Sequence, residues 1–323
     1  MAIYLTVDGG TTNTRISLVR NGNVIDKVKY KIGAAIGCDK KELLYQTLKE
    51  GIAKILSKNA LEEGDVSRIL ASGMITSEGG LCTLKHLQTP CGISELARSM
   101  HECIISEISS IPFVFARGVI TDATSLEELD MMRGEETELF GLTEQPEQGC
   151  LYILPGTHSK MIYTDECGRI CHFTTLLSGE LISAISSNTI LKNSVSLDTY
   201  ATDLEYLERG YMCAGEHGAG TAFFKVRILD KILGASREQC FSFFIGVALQ
   251  NEVDSAIRSS AKKIVIGGKK ELRAPLAHLL LKHTEKPVVE VTDEEADNAT
   301  SRGVIRLYEE YIIGNGELEK TWQ

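Results

Sequence analysis

Residues 3–30 read IYLTVDGGTTNTRISLVRNGNVIDKVKY, and the six residues Asp8-Gly9-Gly10-Thr11-Thr12-Asn13 inside this stretch decide how the rest folds. Leu5 and Val7 alternate with Tyr4 and Thr6 ahead of them. Ile16 and Leu18 alternate behind them with Val19 following, and Val24 to Tyr30 makes a third run. Apolar residues at a period of two mark strands. A glycine-rich loop that opens a helix would point to a P-loop or a dinucleotide site. This one opens another strand, so it is a hairpin tip in a three-strand meander.

Beyond the meander, Lys40 to Lys58 has helical spacing, with Leu43, Leu44, Thr47, Leu48, Ile52, Ile55 and Leu56 on one side and Asp39 as N-cap. Arg68 to Ser72 is a short buried strand stopping at Gly73, Gly92 to Ser109 a helix, Phe113 to Ala116 a strand, and MRGEETELFGL a short helix ending at Gly141. The order then restarts. CLYILPG, SKMIYTDE and RICHFTT read as three strands with turns between them. Helices follow over Gly179 to Lys192 and through Asp203 to about Ile257, then strand KKIVIGG, helix Glu271 to His283, strand PVVEV and a closing helix Asp293 to Tyr311. The architecture repeats while the residues do not. The joint falls at Gln145 to Gly149, giving domains 1–144 and 145–323, with the closing helix a candidate to pack back on the first domain. Each domain opens on a hairpin with a small polar tip, the second being Pro155-Gly156-Thr157-His158-Ser159-Lys160. Two such tips across a cleft would make an anion clamp suited to nucleotide phosphates.

Composition narrows the class. With 323 residues, 43% hydrophobic and 24% charged, the chain is of ordinary globular composition and long enough for two domains. No apolar run is long enough to span a bilayer and no basic-then-apolar leader opens the chain, so a cytoplasmic protein without a membrane partner is expected. Nine cysteines without a leader point to reduced thiols. Cys167, Cys171 and His172 lie close in sequence, but a metal there would need a distant fourth ligand and the segment reads as a hairpin turn. A net charge of -10 with no basic stripe argues against nucleic acid.

Five segments then carry a resemblance. DGGTTNTR at the first hairpin, SGMITSEGG after the Arg68 strand, MRGEETELFG before the joint, LPGTHSKM at the second hairpin and LSGEL after it resemble the 2-dehydro-3-deoxygalactonokinase family, within the actin-like superfamily of sugar kinases and ATPases. The matches run in order to about Ser194, and the remainder matches in layout. The chain departs at Gly9, where many relatives carry an aromatic residue, and at Leu177-Ser178. The resemblance implies an α/β, two-domain actin-like (ribonuclease H-like) fold, each domain a mixed five-stranded sheet flanked by helices, with a cleft between. It also implies ATP-dependent phosphorylation of 2-dehydro-3-deoxy-D-galactonate on its terminal hydroxyl, O6, the product feeding an aldolase in galactonate breakdown. ATP and Mg²⁺ are the implied cofactors, and self-association is left open.

Phosphoryl transfer needs positioning, charge neutralisation and a group that takes the proton of the attacking hydroxyl. Asp8, at a strand end, is the candidate Mg²⁺ ligand, through water because Mg²⁺ dehydrates reluctantly, or else an Asx-turn residue closing the hairpin. Gly9 and Gly10 admit close backbone approach to phosphate, and Thr11, Thr12 and Asn13 add donors. Arg15 either reaches a phosphate or faces solvent. Gly156, Thr157, His158, Ser159 and Lys160 are the second set of phosphate candidates, with His158 assigned to binding only. Gly267-Gly268 ends a strand and opens a helix. In this superfamily such a pair lies against adenosine, and the bland alternative is a strand-to-helix turn.

For the base, Glu135, Glu136, Glu138 and Asp130 are all near. Neighbours on a helix point about 100° apart, so Glu135 and Glu136 cannot both face one point, and Leu139 does not separate them. Resemblance to glycerol-kinase-like relatives, where an acid follows a Gly at the helix start, selects Glu135. A helix N-terminus would keep it ionised. Arg133 is a candidate for the substrate carboxylate or the γ-phosphate. Gly73, Met74 and Ser77 are candidates to line the sugar pocket at a strand end, together with Glu136, and Met74 also reads as core. Gly179-Glu180 would touch the sugar or cap its helix. The alternatives are another kinase of the superfamily, for an amino sugar or pantothenate, and a nucleotide-dependent actin-like binding protein.

Overall fold

In a computed structural model of the chain, the described residues are 2–33, 41–143, 146–198 and 200–314. Asp39, the expected N-cap, and Gln145, at the start of the expected joint, lie outside them. The first hairpin forms as its alternation requires, from β1 (Ile3–Gly9) and β2 (Thr14–Arg20), followed by β3 (Asn23–Tyr30) and α1 (Lys41–Lys58). Then come β4 (Arg68–Gly73), β5 (Leu87–Gln88), α2 (Ile93–Arg98), β6 (His101–Cys103), β7 (Phe113–Phe115), β8 (Val119–Ile120), β9 (Met131–Met132) and α3 (Glu135–Leu142). The second run is β10 (Cys150–Leu154), β11 (Ser159–Thr164), β12 (Ile170–Leu176), α4 (Ser178–Asn188), α5 (Leu204–His217), α6 (Ala219–Lys231) and α7 (Arg237–Arg258). It ends with β13 (Lys263–Ile266), α8 (Lys270–His283), β14 (Val288–Glu290) and α9 (Asp293–Gly314). No helix among the described residues is long and apolar enough to cross a membrane.

The chain divides into two units. The first runs to Pro146 and takes in Cys167–His172 and the chain from Glu294; the second is Glu147–Glu166 with Phe173–Asp293. The chain thus returns to the first unit twice, at Cys167–His172 and again from Glu294. The later return has a clear cause in packing. A Cβ on Gly141 of α3 would sit 1.7 Å from Ala299 O, and one on Gly303 of α9 would sit 1.7 Å from Thr137 O. Two bare glycines thus let α3 and α9 touch backbone to backbone.

The first unit holds a sheet in the order β3-β2-β1-β4-β7-β6 and a small sheet β5-β8-β9. β1 is parallel to β4, and β4 to β7, while β2, β3 and β6 add antiparallel. The expected five-strand sheet is therefore six-stranded here. The expected helix over Gly92 to Ser109 stops early: Ser99 caps α2 by bonding back to Leu96 O, and His101–Cys103 then pairs the otherwise open edge of β7. β1 is buried on both faces, Leu5 and Val7 on one and Thr6 on the other, where Thr6 Oγ1 meets Ser301 Oγ of α9 at 2.7 Å. α1 buries Leu44, Leu48, Ile52, Ile55 and Leu56 as its spacing predicts, but Leu43 is exposed and Gly51 takes a place in the contact stripe. A Cβ on Gly51 would come within 2.6 Å of Ile16.

The second unit has the sheet β12-β11-β10-β13-β14, with β10, β13 and β14 parallel. The expected helix to Lys192 ends at Asn188, followed by a 3₁₀ turn, Ile190–Asn193, that Thr189 caps by accepting from Leu191 N. The region from Asp203 to Ile257 is three helices, broken at Gly218 (φ 79°) and around Gly234 (φ 65°), conformations that glycine adopts without strain. α5 and α7 also meet through glycines, Gly210 against Phe243 O and Gly246 against Leu207 O, each at 2.0 Å from an added Cβ.

Candidate active site

In the first unit three backbones converge at the ends of β1 and β4. Asp8 and Gly9 lie beside Ser72 and Gly73 in parallel register. Gly73 has φ 85° and ψ -155°, a region reserved for glycine, and a Cβ there would lie 2.5 Å from Gly9 O. Gly134, at φ 116°, leads into α3, and a Cβ on it would lie 3.1 Å from the Gly73 Cα. Asp8 does not close its own turn. Its Oδ2 accepts from Arg15 NH1 at 3.0 Å across the hairpin, where the two residues are directly paired. Burial pushes the Asp8 carboxyl above its ordinary range, Arg15 opposes this, and the charge of nearby Glu135 adds to it. Asp8 and Glu135 are thus neighbours.

The start of α3 sorts its acids. Glu136 is fully buried, and its two oxygens accept from Gly134 N at 2.9 and 2.8 Å. Burial, with the charge of Glu135 next to it, raises its pKa to about 8. A group enclosed in this way does not reach a sugar, so Glu136 serves as the clasp of the Gly134 turn and not as the expected pocket wall. Glu135 is only partly buried, and its Oε2 accepts from Arg133 N at 3.0 Å. Asp130 lies further back on the β8–β9 connection, where its Oδ1 accepts from Met131 N at 2.7 Å.

Arg133 is committed to protein. One guanidinium nitrogen donates to Thr76 O at 2.8 Å and Thr76 Oγ1 at 2.6 Å, the other to Leu84 O at 3.0 Å, with His86 Nδ1 at 3.4 Å. Thr76 in turn donates to Gly73 O at 3.0 Å. Arg133 therefore holds the loop after β4 in place. On that loop Ile75 and Thr76 are buried, while Met74 and Ser77 are partly exposed, and Ser77 Oγ bonds to Met74 O at 2.7 Å.

The first hairpin tip is closed by Gly10 N donating to Asn13 O at 2.8 Å, and Asn13 Nδ2 donates to Thr12 Oγ1 at 2.8 Å. Gly33 packs against this tip so closely that a Cβ would meet Gly10 O at 2.5 Å. Thr12 is exposed and Thr11 and Asn13 partly so.

In the second unit Gly156, Thr157 and His158 form the turn, with Thr157 exposed. Ser159 and Lys160 are buried beneath it. Lys160 Nζ donates to Thr175 Oγ1 at 2.5 Å and lies 6.0 Å from the Phe173 ring centre. The α4 start supports the turn: an added Cβ on Gly179 would meet Gly156 O at 2.1 Å, Glu180 N donates to Thr157 O at 3.0 Å, and Glu180 faces His158 at 3.4 Å. Gly268 (φ 71°) presses on the same turn, 2.4 Å from Pro155 O to an added Cβ, and Gly267 N bonds to Ile153 O at 2.9 Å. Buried Arg273 fixes this contact by donating to Gly268 O at 3.0 Å and pairing with Glu290 and Asp293.

Sequence reasoning missed Thr76, Gly33, Arg273 and Glu252. Glu252 had a signal: it falls in the apolar stripe of α7 with Ile245 and Leu249, where an unpartnered charge would not be tolerated.

Each unit keeps one feature open to a ligand. Gly156 is required neither by a left-handed backbone nor by packing, since an added Cβ would make only ordinary contact at 3.6 Å, so its bareness leaves room for a ligand. Asp8 keeps Oδ1 toward Gly73 with Glu135 nearby, a carboxylate setting that a hydrated divalent cation would relieve. Among the described residues no three His, Cys, Asp or Glu cluster as a metal site, and Cys167 and His172 are exposed.

Residues 8–307 match the family model of 2-keto-3-deoxy-galactonokinase. The chain is 24% identical over 259 residues to the 2-dehydro-3-deoxygalactonokinase of Escherichia coli (strain K12), covering 79% of this chain and 80% of that one. It is 28% identical over 204 residues to a Rhizobium meliloti (strain 1021) protein named "Probable 2-dehydro-3-deoxygalactonokinase", a match spanning 61% of each. Among solved structures, a Sinorhizobium meliloti protein named for the same activity superposes with TM-score 0.74 at 22% identity, covering 94% of this chain and 97% of that one. A ligand-bound xylulose kinase from Lactobacillus acidophilus gives TM-score 0.55 at 11% identity, covering 99% and 91%. The fold is the mixed α/β fold of the actin-like sugar kinases. The chain belongs to the 2-keto-3-deoxy-galactonokinase family, a family of ATP-dependent sugar-acid kinases.

Proposed function

We propose that this chain transfers the γ-phosphoryl group of ATP to the terminal hydroxyl, O6, of 2-dehydro-3-deoxy-D-galactonate, in the breakdown of galactonate. The observation that carries the reading is the meeting of Asp8, Gly73 and Gly134-Glu135 at one strand end. Glu135, partly exposed and oriented through Oε2 by the Arg133 amide, accepts the O6 proton as the O6–P bond forms and the bond to the ADP oxygen breaks. Asp8 would hold hydrated Mg²⁺, which when bound neutralises charge on the phosphates. The Gly9–Asn13 and Gly156–His158 turns are the proposed phosphate-binding segments, with Arg15 held beside the first and Ser159 and Lys160 enclosed beneath the second. Gly267-Gly268 is the proposed adenosine contact. Gly73, Met74 and Ser77 are proposed to bound the sugar, shaped by Arg133 as a positioning residue and not through a direct ion pair.

The test is an ADP-release assay on the galactonate- and gluconate-derived 2-keto-3-deoxy acids side by side, with an amino sugar and pantothenate as controls, and phosphorus NMR of the product. The reading expects magnesium-dependent turnover of the galactonate-derived acid, abolished by EDTA, and a 6-phosphate. Turnover of a control alone, or phosphate at another carbon, overturns it.

A further inference from the structure

The core of the second unit contains a carboxyl that the proposed reaction does not use. Glu252 of α7 is fully buried and accepts a hydrogen bond from Ser178 Oγ, the first residue of α4. The buried Ser159 hydroxyl, at the first position of β11, faces the same carboxyl. That approach falls short of regular hydrogen-bond geometry, and Glu252 Oε2 and Ser159 Oγ have no hydrogen-bond partner. These two serines flank the proposed phosphate turn from both sides. Ser159 follows it directly in the chain, and Ser178 opens the helix whose Gly179 and Glu180 touch Gly156 O and Thr157 O.

We propose that Glu252 is a positioning residue for the nucleotide, fixing the Gly156-Thr157 turn by bridging Ser159 to Ser178 through one buried carboxyl. The proposal rests on the reading of that turn as a phosphate site. Burial pushes the Glu252 pKa upward, against the hydrogen bonds from Ser178 and the backbone that pull it down. A neutral carboxyl offers one O–H donor as well as acceptors, and can therefore donate to one serine while accepting from the other. Glutamine has the same capacity and nearly the same shape, whereas leucine has the volume without the polar atoms. A carboxyl needed only to fill space would tolerate leucine better than glutamine.

The experiment measures binding of a non-hydrolysable ATP analogue with magnesium by calorimetry, on full-length protein, together with KM for ATP and for the sugar acid. Glu252→Gln should bind within about threefold of the native chain. Glu252→Leu, if folded by circular dichroism, should bind about tenfold or more weakly, with KM for ATP rising while KM for the sugar acid changes less than about twofold. Equal binding by a folded Glu252→Leu protein, equal losses in both variants, or parallel rises in both KM values would each overturn the role. Should Glu252→Leu fail to fold, Ser178→Ala takes its place. It should weaken the analogue at least about threefold, and an unchanged affinity overturns the proposal. Failure of the native chain to bind the analogue would instead overturn the phosphate reading itself.

Discussion

The two hairpins present similar chemistry, Gly-Gly-Thr-Thr-Asn in one and Gly-Thr-His-Ser-Lys in the other, but they are supported in different ways. The first is shaped by close backbone contacts: Gly33 lies on Gly10 O, Gly73 lies on Gly9 O, and the charged pair Asp8–Arg15 sits where solvent still reaches it. The second rests on buried polar side chains, with Ser159, Lys160, Ser178, Glu252 and Arg273 all enclosed beneath or beside it. Bare glycines leave acids at a strand end accessible, which chemistry requires. A buried polar network holds a turn through its paired members, here Lys160, Ser178 and Arg273.

Substitutions in the two regions should therefore fail differently. The largest effect is expected at the accessible acid: Glu135→Gln should lower kcat by about 10²- to 10⁴-fold, the usual contribution of a general base, with KM values within about threefold. An unchanged kcat in steady-state kinetics would take Glu135 out of the chemistry. Next, Arg133→Lys should cut kcat/KM about tenfold and lower Tm together. A single ammonium group does not reproduce the forked contacts to Thr76 and Leu84. A rise in sugar-acid KM with Tm unchanged would instead restore Arg133 as a direct substrate ligand.

Glu136 gives a pH signature. Its carboxyl, ordinarily near 4.5, keeps its proton in the folded protein to about 8. Between those values the native state binds a proton that the unfolded state has lost, so this group's contribution to stability falls as pH rises. Glu136→Gln does not titrate, and its Tm relative to the native chain should climb from pH 5 to pH 8. A pH-independent difference would show that Glu136 is ionised in the fold. The smallest effect is expected at His158, whose contact with exposed Glu180 is solvent-screened. His158→Ala should change KM for ATP about twofold at most, and a tenfold rise would make the ring a phosphate ligand.

Much of the architecture was legible. The meander, the restart at Cys150 and the strand after α7 follow from periodicity and turn residues, because those signals are local. The failures were at contacts made by distant chain. β6 exists because β7 has an edge to pair, a partner that lies outside His101–Cys103 itself. The site divides in the same way. The segments bearing Asp8, Glu135 and the two turns could be named from the sequence, whereas the separation of Glu135 from Glu136 could not, since neighbouring acids on one helix differ only in what lies over them.

From its residues alone, then, this chain determined two glycine-bearing hairpins, an acidic helix start and membership in a kinase family. Periodicity and turn chemistry act over a few residues and need no partner to be read. Tertiary structure decided that Arg133 braces a loop, that Glu136 closes a turn and that Glu252 reaches Ser178 and faces Ser159. Burial and hydrogen bonding depend on residues up to a hundred or more positions away, which no local spacing encodes.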